Sequence, residues 1–409
     1  MLSRFCAAFL FLGVAASLGA SEEDAIRISR GILDRHMPFG TLLDPVYEAP
    51  GSDQILTYTR CGDSAIWTGH YLAAESFRYR VTRSAEALDA VRKALDGIRM
   101  LVEVTGGSHV ARCAVPVDSP YVSDLVQEES QHGAYPGVWN DQAYYWIGNT
   151  SRDQYSGVFF GLSVAYDMVD NVEVRAMART LVTRLLANLL DSGWAVVMPN
   201  GAVSTVFWGR ADQQLALLQI GRHMNRENFD FDYRSLRFWN AGSITTPIST
   251  EVLEDHESYF KFNLDTINLY SLIRLEDSSW YKRFYVWAYD VLRRTTDGHG
   301  NAHFNMIDRA LNGPNQDRDR ETRALLEAWL ERPRRDEYVD LRASVPSCGN
   351  DRACSPIPVP QRVRTDFLWQ RSPFLLYGGG NGTIETAGID YILPYWMARY
   401  YGVIPAPQR

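Results

Sequence analysis

The sequence predicts an all-α fold in which helices buried on every side alternate with helices buried on one side only. Two observations carry that expectation. The stretch "CGDSAIWTGHYLAAESFRY" (61–79) has helical length and good helix formers in Leu72, Ala73, Ala74 and Glu75, yet Trp67, Tyr71, Phe77 and Tyr79 leave it no solvent face. The stretch "SRDQYSGVFFGLSVAYDMV" (151–169) repeats the design, with Trp67-Thr68-Gly69 matched by Tyr155-Ser156-Gly157 and an aspartate in front of each. The segment after each stretch has a different pattern. In 84–106, Leu88, Val91, Leu95, Ile98 and Val102 recur at three and four residues, while Arg92, Lys93, Asp96, Arg99 and Glu103 take the other face. In 172–190, Val174, Met177, Leu181, Leu185 and Leu189 form one stripe and Arg175, Arg179 and Arg184 another. An inner layer of helices wrapped by an outer layer produces this alternation.

Taken in order, residues 1–20 read as a secretory signal peptide, with Arg4 ahead of a short apolar run and small residues near Ala16 to Ala20. Residues 21–409 read as a single domain. Helices are expected at 22–36, 63–82, 84–105, 153–169, 172–190, 210–224, 227–239, 256–275, 278–296, 300–312, 319–332 and 386–402, which makes six hairpins if the first and last pair. Two long irregular inserts, 106–150 and 333–385, interrupt them. Structureless stretches of that length in a compact protein tend to be functional rims.

Four cysteines lie beyond the signal: Cys61, Cys113, Cys348 and Cys354. An even count in an exported chain suggests two disulfides, and four cysteines allow three pairings. The two helices 63–82 and 84–105 are about equally long, so the chain returns to its starting end and brings Cys113 back to Cys61. The expected pairs are Cys61–Cys113 and Cys348–Cys354. A net charge of −8 argues against a general nucleic-acid binder. No later stretch is apolar enough for a membrane span, which points to a secreted or periplasmic protein, a monomer or small homo-oligomer. Only three of the 41 basic residues are lysine (Lys93, Lys261, Lys282). A genome rich in G and C would produce that bias, and so would recognition of carboxylates or sulfates by arginine.

Inner and outer helices with aromatic loops resemble the (α/α)6 toroid of six-hairpin glycosidases and the related polysaccharide lyases and sugar epimerases. The pattern covers most of 21–409, and its specific motifs are 61–79 and 151–169. The resemblance implies a central funnel onto which the inner helices open, an oligosaccharide substrate and no cofactor. In unsaturated glucuronyl hydrolases of that fold an aspartate near the start of an inner helix is the general acid/base, and Asp153 occupies a similar place.

Glycoside hydrolysis needs two carboxyl groups, one protonated and one ionised. Asp153 is the first candidate, with Asp63, Asp212 or Glu257 as its partner at other inner-helix starts. Each aspartate could equally be an N-cap, since its oxygen accepts the free amides of a first turn. Arg152, Gln154 and His256 are expected to orient a sugar, and Trp67, Trp139, Trp146 and Tyr155 to stack on it. The same aromatics would serve equally as a flap sealing the helix ends. A lyase or epimerase would use Tyr155, His256 or His303 as a base; a non-catalytic exported toroid would bind a glycan or a protein through the aromatic loops. His299 and His303 stand four apart, but Gly298 and Gly300 put His299 in a turn, so no metal is expected. Glu385, beyond "YGGGNG", is a candidate for the funnel rim.

Overall fold

The computed structural model describes residues 20–107, 109–253 and 259–407, so the signal-peptide expectation lies almost wholly outside the described residues. Helix α1 (Glu22–Gly31) is capped by Ser21, whose hydroxyl accepts from the amide of Asp24, and runs on as a π turn to His36. A hairpin, β1 (Asp44–Tyr47) and β2 (Ile55–Thr59), leads to a 3-10 turn at Cys61–Asp63. Then comes α2 (Ser64–Thr82), buried without interruption from Ser64 to Arg78. Arg83 turns the chain in the left-handed region (φ 56°), and Ser84 caps α3 (Ala85–Glu103) by accepting from Ala87. Only the inward stripe of α3 is buried.

The first insert is more ordered than the expected irregular loop. It holds β3 (Cys113–Pro116), α4 (Val122–Glu128), β4 (Ala134–Trp139) and β5 (Gln142–Ile147), with the strands in the antiparallel order β3-β5-β4. The β4–β5 hairpin turns on Asn140 and Asp141, both at positive φ, as two-residue hairpin turns require. After it come α5 (Arg152–Met168), α6 (Val172–Asp191), a short hairpin of β6 (Ala195–Val197) and β7 (Val203–Val206), α7 (Ala211–Met224), α8 (Arg226–Asn240) and α9 (Thr245–Leu253). The chain continues with α10 (Tyr259–Leu275), α11 (Ser279–Thr296), α12 (Ala302–Asn312) and α13 (Gln316–Leu330). The second insert pairs β8 (Val339–Asp340) with β9 (Tyr377–Gly378), and α14 (Ile389–Tyr400) ends the fold.

Helices α2, α5, α7, α10, α12 and α14 pack each on the next and close into a ring, α14 returning to α2. Around them lie α3, α6, α8, α11, α13 and α1, each against the inner helix that is its hairpin partner. This is the (α/α)6 toroid, and the twelve expected helices are these twelve to within a few residues. The disulfides are Cys61–Cys113 and Cys348–Cys354, as expected.

The repeated aromatic–hydroxyl–glycine step is where α2 and α5 touch. A Cβ added at Gly69 would sit 2.1 Å from the carbonyl oxygen of Gly157, so the two backbones are in direct contact. No other residue fits there. The flanking hydroxyls fasten each helix to a different neighbour: Thr68 accepts from the amide of Leu42 at 2.9 Å, and Ser156 from the side chain of Asn268 on α10 at 3.1 Å. The motif recurs because this close crossing needs it on both partners.

Candidate active site

The close crossing of α2 and α5 sets their N-terminal ends side by side, with Asp63 in front of one and Asp153 in the first turn of the other. Neither aspartate is a cap. Asp63 stands at the N-cap position of α2 without a capping bond, and the carboxylate of Asp153 accepts from side chains, the Ser151 hydroxyl and Gln154. Gln154 is the link between them. Its oxygen accepts from the amide of Ile66 at 3.0 Å, which fixes the orientation of the side-chain amide. Its nitrogen then donates to Asp63 Oδ1 at 3.3 Å and to Asp153 Oδ2 at 3.4 Å. Those two oxygens are therefore separated by less than twice 3.4 Å.

Arg112 ties the two helix starts together from behind. Its guanidinium donates to Gly62 O at 2.8 Å, to Ser151 Oγ at 2.7 Å and to Asn149 O at 2.9 Å. It approaches Asp63 only to 3.9 Å. Asp63 keeps an open edge, with 43% of its side chain exposed, but protein surrounds the rest. Burial pushes its carboxyl up to about 6, and the charge of Asp153 pushes the same way. Arg112 opposes the shift, while Asp366 and Glu129 add to it. Glu129 is fixed close by, accepting from the amide of Gly62 at 2.7 Å and facing His132 Nδ1 at 2.6 Å. On its far side Asp153 borders a pocket of about 250 Å³ that reaches α7, α9 and α10.

The other expected site residues fall elsewhere. Asp212 is fully buried and gives both oxygens to Arg210, at 3.1 and 2.8 Å, which leaves none for a substrate. Glu257 and His256 lie outside the described residues. Arg152 is at the pocket, donating to Val206 O at 2.9 Å. Tyr155 and Trp146 are interior, against Phe207 and Tyr135 respectively, and present no face to a ring. Trp139 lies half-buried under Arg99 and beside Tyr144. Of the tryptophans in the loop 132–154, Trp146 is interior and Trp139 half-buried, while Tyr145 stays exposed.

The axis of the ring is closed. Phe367, Leu368 and Trp369 of the second insert drop onto the helix starts, and Trp67 packs at 5.1 Å from Phe367 and 6.2 Å from Trp369. His70 lies beneath, its Nδ1–H donating to Ile66 O and its Nε2 accepting from Asn263; burial holds it down at about 4. His303 packs 4.8 Å from Trp369, wholly covered. Tyr155 and His303 therefore meet no solvent, which removes the support for them as bases. His299 turns instead to Tyr259 and Phe374, and among the described residues no group of acids, histidines or cysteines could hold a metal ion. Glu385 is not at a rim. It is enclosed by Arg35, Arg334, Arg335, His36 and Tyr47, and those cations hold its carboxyl well below the usual range.

Arg112, Glu129 and Arg210 were not legible as site residues, because loop arginines and acids carry no periodic signal. Gln154 was, through its place beside Asp153.

No family model matches the chain, and no curated protein matches it. Among solved structures, the crystal structure of the cellulase Cel9M of C. cellulolyticum aligns over 87% of this chain and 89% of its own, at 12% identity and a TM-score of 0.42. That likeness is one of outline, and it transfers no residue or substrate to this chain.

Proposed function

We propose that the chain is an exported glycoside hydrolase whose reaction centre is the pair Asp63 and Asp153. The observation that carries this is the single amide nitrogen of Gln154 donating to both carboxyl groups from the floor of an open edge. Asp63 is the proton donor: a carboxyl pushed up to about 6 keeps its proton in mildly acidic solution, where an ordinary carboxyl has lost it. This reverses the expected order, in which Asp153 was the acid. Asp63 protonates the departing glycosidic oxygen as that bond breaks, and Asp153 forms a bond to the anomeric carbon. Water then attacks that carbon, gives its proton to Asp63 and releases Asp153. A separation of less than twice 3.4 Å admits this two-step route, in which the carboxyls stand about 5–5.5 Å apart. Two disulfides are in keeping with an oxidising compartment.

The test is a product screen of the protein lacking residues 1–20 against plant and bacterial oligosaccharides. Asp63→Asn and Asp153→Asn should each lower turnover by about 10²–10⁴-fold with the fold intact. Proton NMR of the first-formed sugar should show the anomeric configuration of the substrate. Full activity in Asp153→Asn, or an inverted product, would sink this assignment.

A further inference from the structure

The pocket beyond Asp153 has a construction of its own. It lies between the starts of α5, α7 and α10 and the strand β7, and its volume of about 250 Å³ suits one sugar ring rather than a chain. Phe260, in the first turn of α10, stands at the pocket with 41% of its surface open. Five residues on in the same helix is Asp265, fully buried and lining the same pocket. Asp265 Oδ1 accepts from Arg210 at 2.9 Å, and Asp265 Oδ2 is buried without a hydrogen-bond partner among the described residues. Leaving a buried carboxyl oxygen unpaired is costly, and a ligand hydroxyl would relieve it.

Among the described residues the charges of the pocket are paired. Arg210 is held by Asp212, Glu251 and Asp265 together, and Lys261 lies 3.0 Å from Glu251. Arg152 faces Asp153 across the mouth. Burial, with the charges of Asp212 and Glu251, pushes the Asp265 carboxyl up and Arg210 opposes it. Among the described residues each charge lining the pocket thus has an opposite partner, which does not call for a charged ligand.

We propose that this pocket is a sugar subsite flanking the reaction centre, taking one neutral pyranose ring stacked on Phe260 and hydrogen-bonded by Asp265. It rests on the hydrolase reading for its place beside Asp153, and it adds the ring's charge and its two contacts. The aromatic platform is a residue on α10, not one of the tryptophans of the 132–154 loop.

The experiment is saturation-transfer NMR on the Asp153→Asn protein, so that binding is read without turnover. The probes are the methyl β-pyranosides of glucose, galactose, mannose and xylose, with glucuronate as the charged comparison. At least one neutral glycoside should bind, and glucuronate less well. Adding Phe260→Ala should weaken that binding at least about tenfold, as loss of a ring-stacking contact would. Asp265→Asn should keep it, because the amide still accepts from Arg210 and still presents a polar group that a sugar hydroxyl can pair with, and Asp265→Ala should lose it. No binding by any neutral glycoside, equal binding to the Phe260→Ala protein, or a preference for glucuronate would each overturn the proposal. The two readings separate cleanly. Phe260-dependent binding without any hydrolysis by the wild-type chain leaves the subsite standing and removes the reaction; hydrolysis unaffected by Phe260→Ala does the reverse.

Discussion

Two carboxylate clusters at the starts of inner helices use the same residue types to opposite ends. At the front of α2 and α5, Asp63 and Asp153 share a neutral amide, and the Arg112 guanidinium stays 3.9 Å from Asp63. Ahead of α14, Glu385 is surrounded by three arginines within 3.5 Å and a histidine. An amide orients a carboxyl without settling its charge, whereas guanidinium groups fix it as an anion. The first arrangement leaves a proton available up to about pH 6, and the second makes a joint between the N-terminal segment, the second insert and α14.

Breaking the joint should have the largest effect. Glu385→Gln leaves three arginines without their anion, and removing one partner of a buried ion pair costs about 3–5 kcal/mol. Denaturant unfolding at pH 7 should register that loss. It should shrink in acid: the Glu385 carboxyl is held low, so its contribution is present above its ordinary value of 4.5 and disappears as pH falls below that. An unchanged midpoint at pH 7 would mean the arginines are satisfied by solvent.

A smaller effect is expected at the crossing that brings the open pair together. Gly69→Ala must push α2 away from the carbonyl of Gly157, an overpacking change of about 1–3 kcal/mol, and it should lower turnover as well because Gln154 can no longer reach both carboxyls. Gly106→Ala, on an open turn, is the control for stability: its φ of 88° strains a side chain locally but touches neither helix start.

Replacing the shared amide sharpens the comparison, although it also takes the side-chain acceptor from the Ile66 amide, at a cost of about 1–3 kcal/mol. In Gln154→Leu the two carboxyls lose their common donor, so the charge of Asp153 acts on Asp63 without relief. The descending limb of the pH–activity profile, which reports the acid, should move upward from about 6. A limb that stays where it was would show that the amide does not govern the pair.

The smallest effect is on stability at Asp63 itself. Its folded value of about 6 lies above the ordinary 3.8, so the folded state binds the proton more tightly and loses stability as pH rises from 4 to 6. Asp63→Asn should therefore melt higher than the wild type at pH 8 and alike at pH 4. With much of the side chain open to solvent, the gain will be modest.

Much of this architecture was readable in the chain. The contrast between a helix apolar all round and one with a single stripe is a local property, and it marked the layers of the first two hairpins after α1, while helical length and pattern located the other ring helices. The hairpin length brought Cys61 to Cys113. The first insert was misread because its strands are short and its turn is Asn140-Asp141 rather than a pair with glycine. Phe260 and Asp265 gave no signal either, since one aromatic and one acid inside an inner helix look like any other core positions.

By itself the sequence determined which segments are helical, which are interior, and that acids front the inner ones, because periodicity and capping act over four residues or fewer. Only the tertiary structure decided what each acid does. Glu385 and Asp63 are chemically alike in the chain. What separates them is whether a guanidinium or an amide arrives from an element that is distant along the backbone, such as Arg334 at Glu385 or Gln154 at Asp63, and in a medium with few water molecules that neighbour sets the proton.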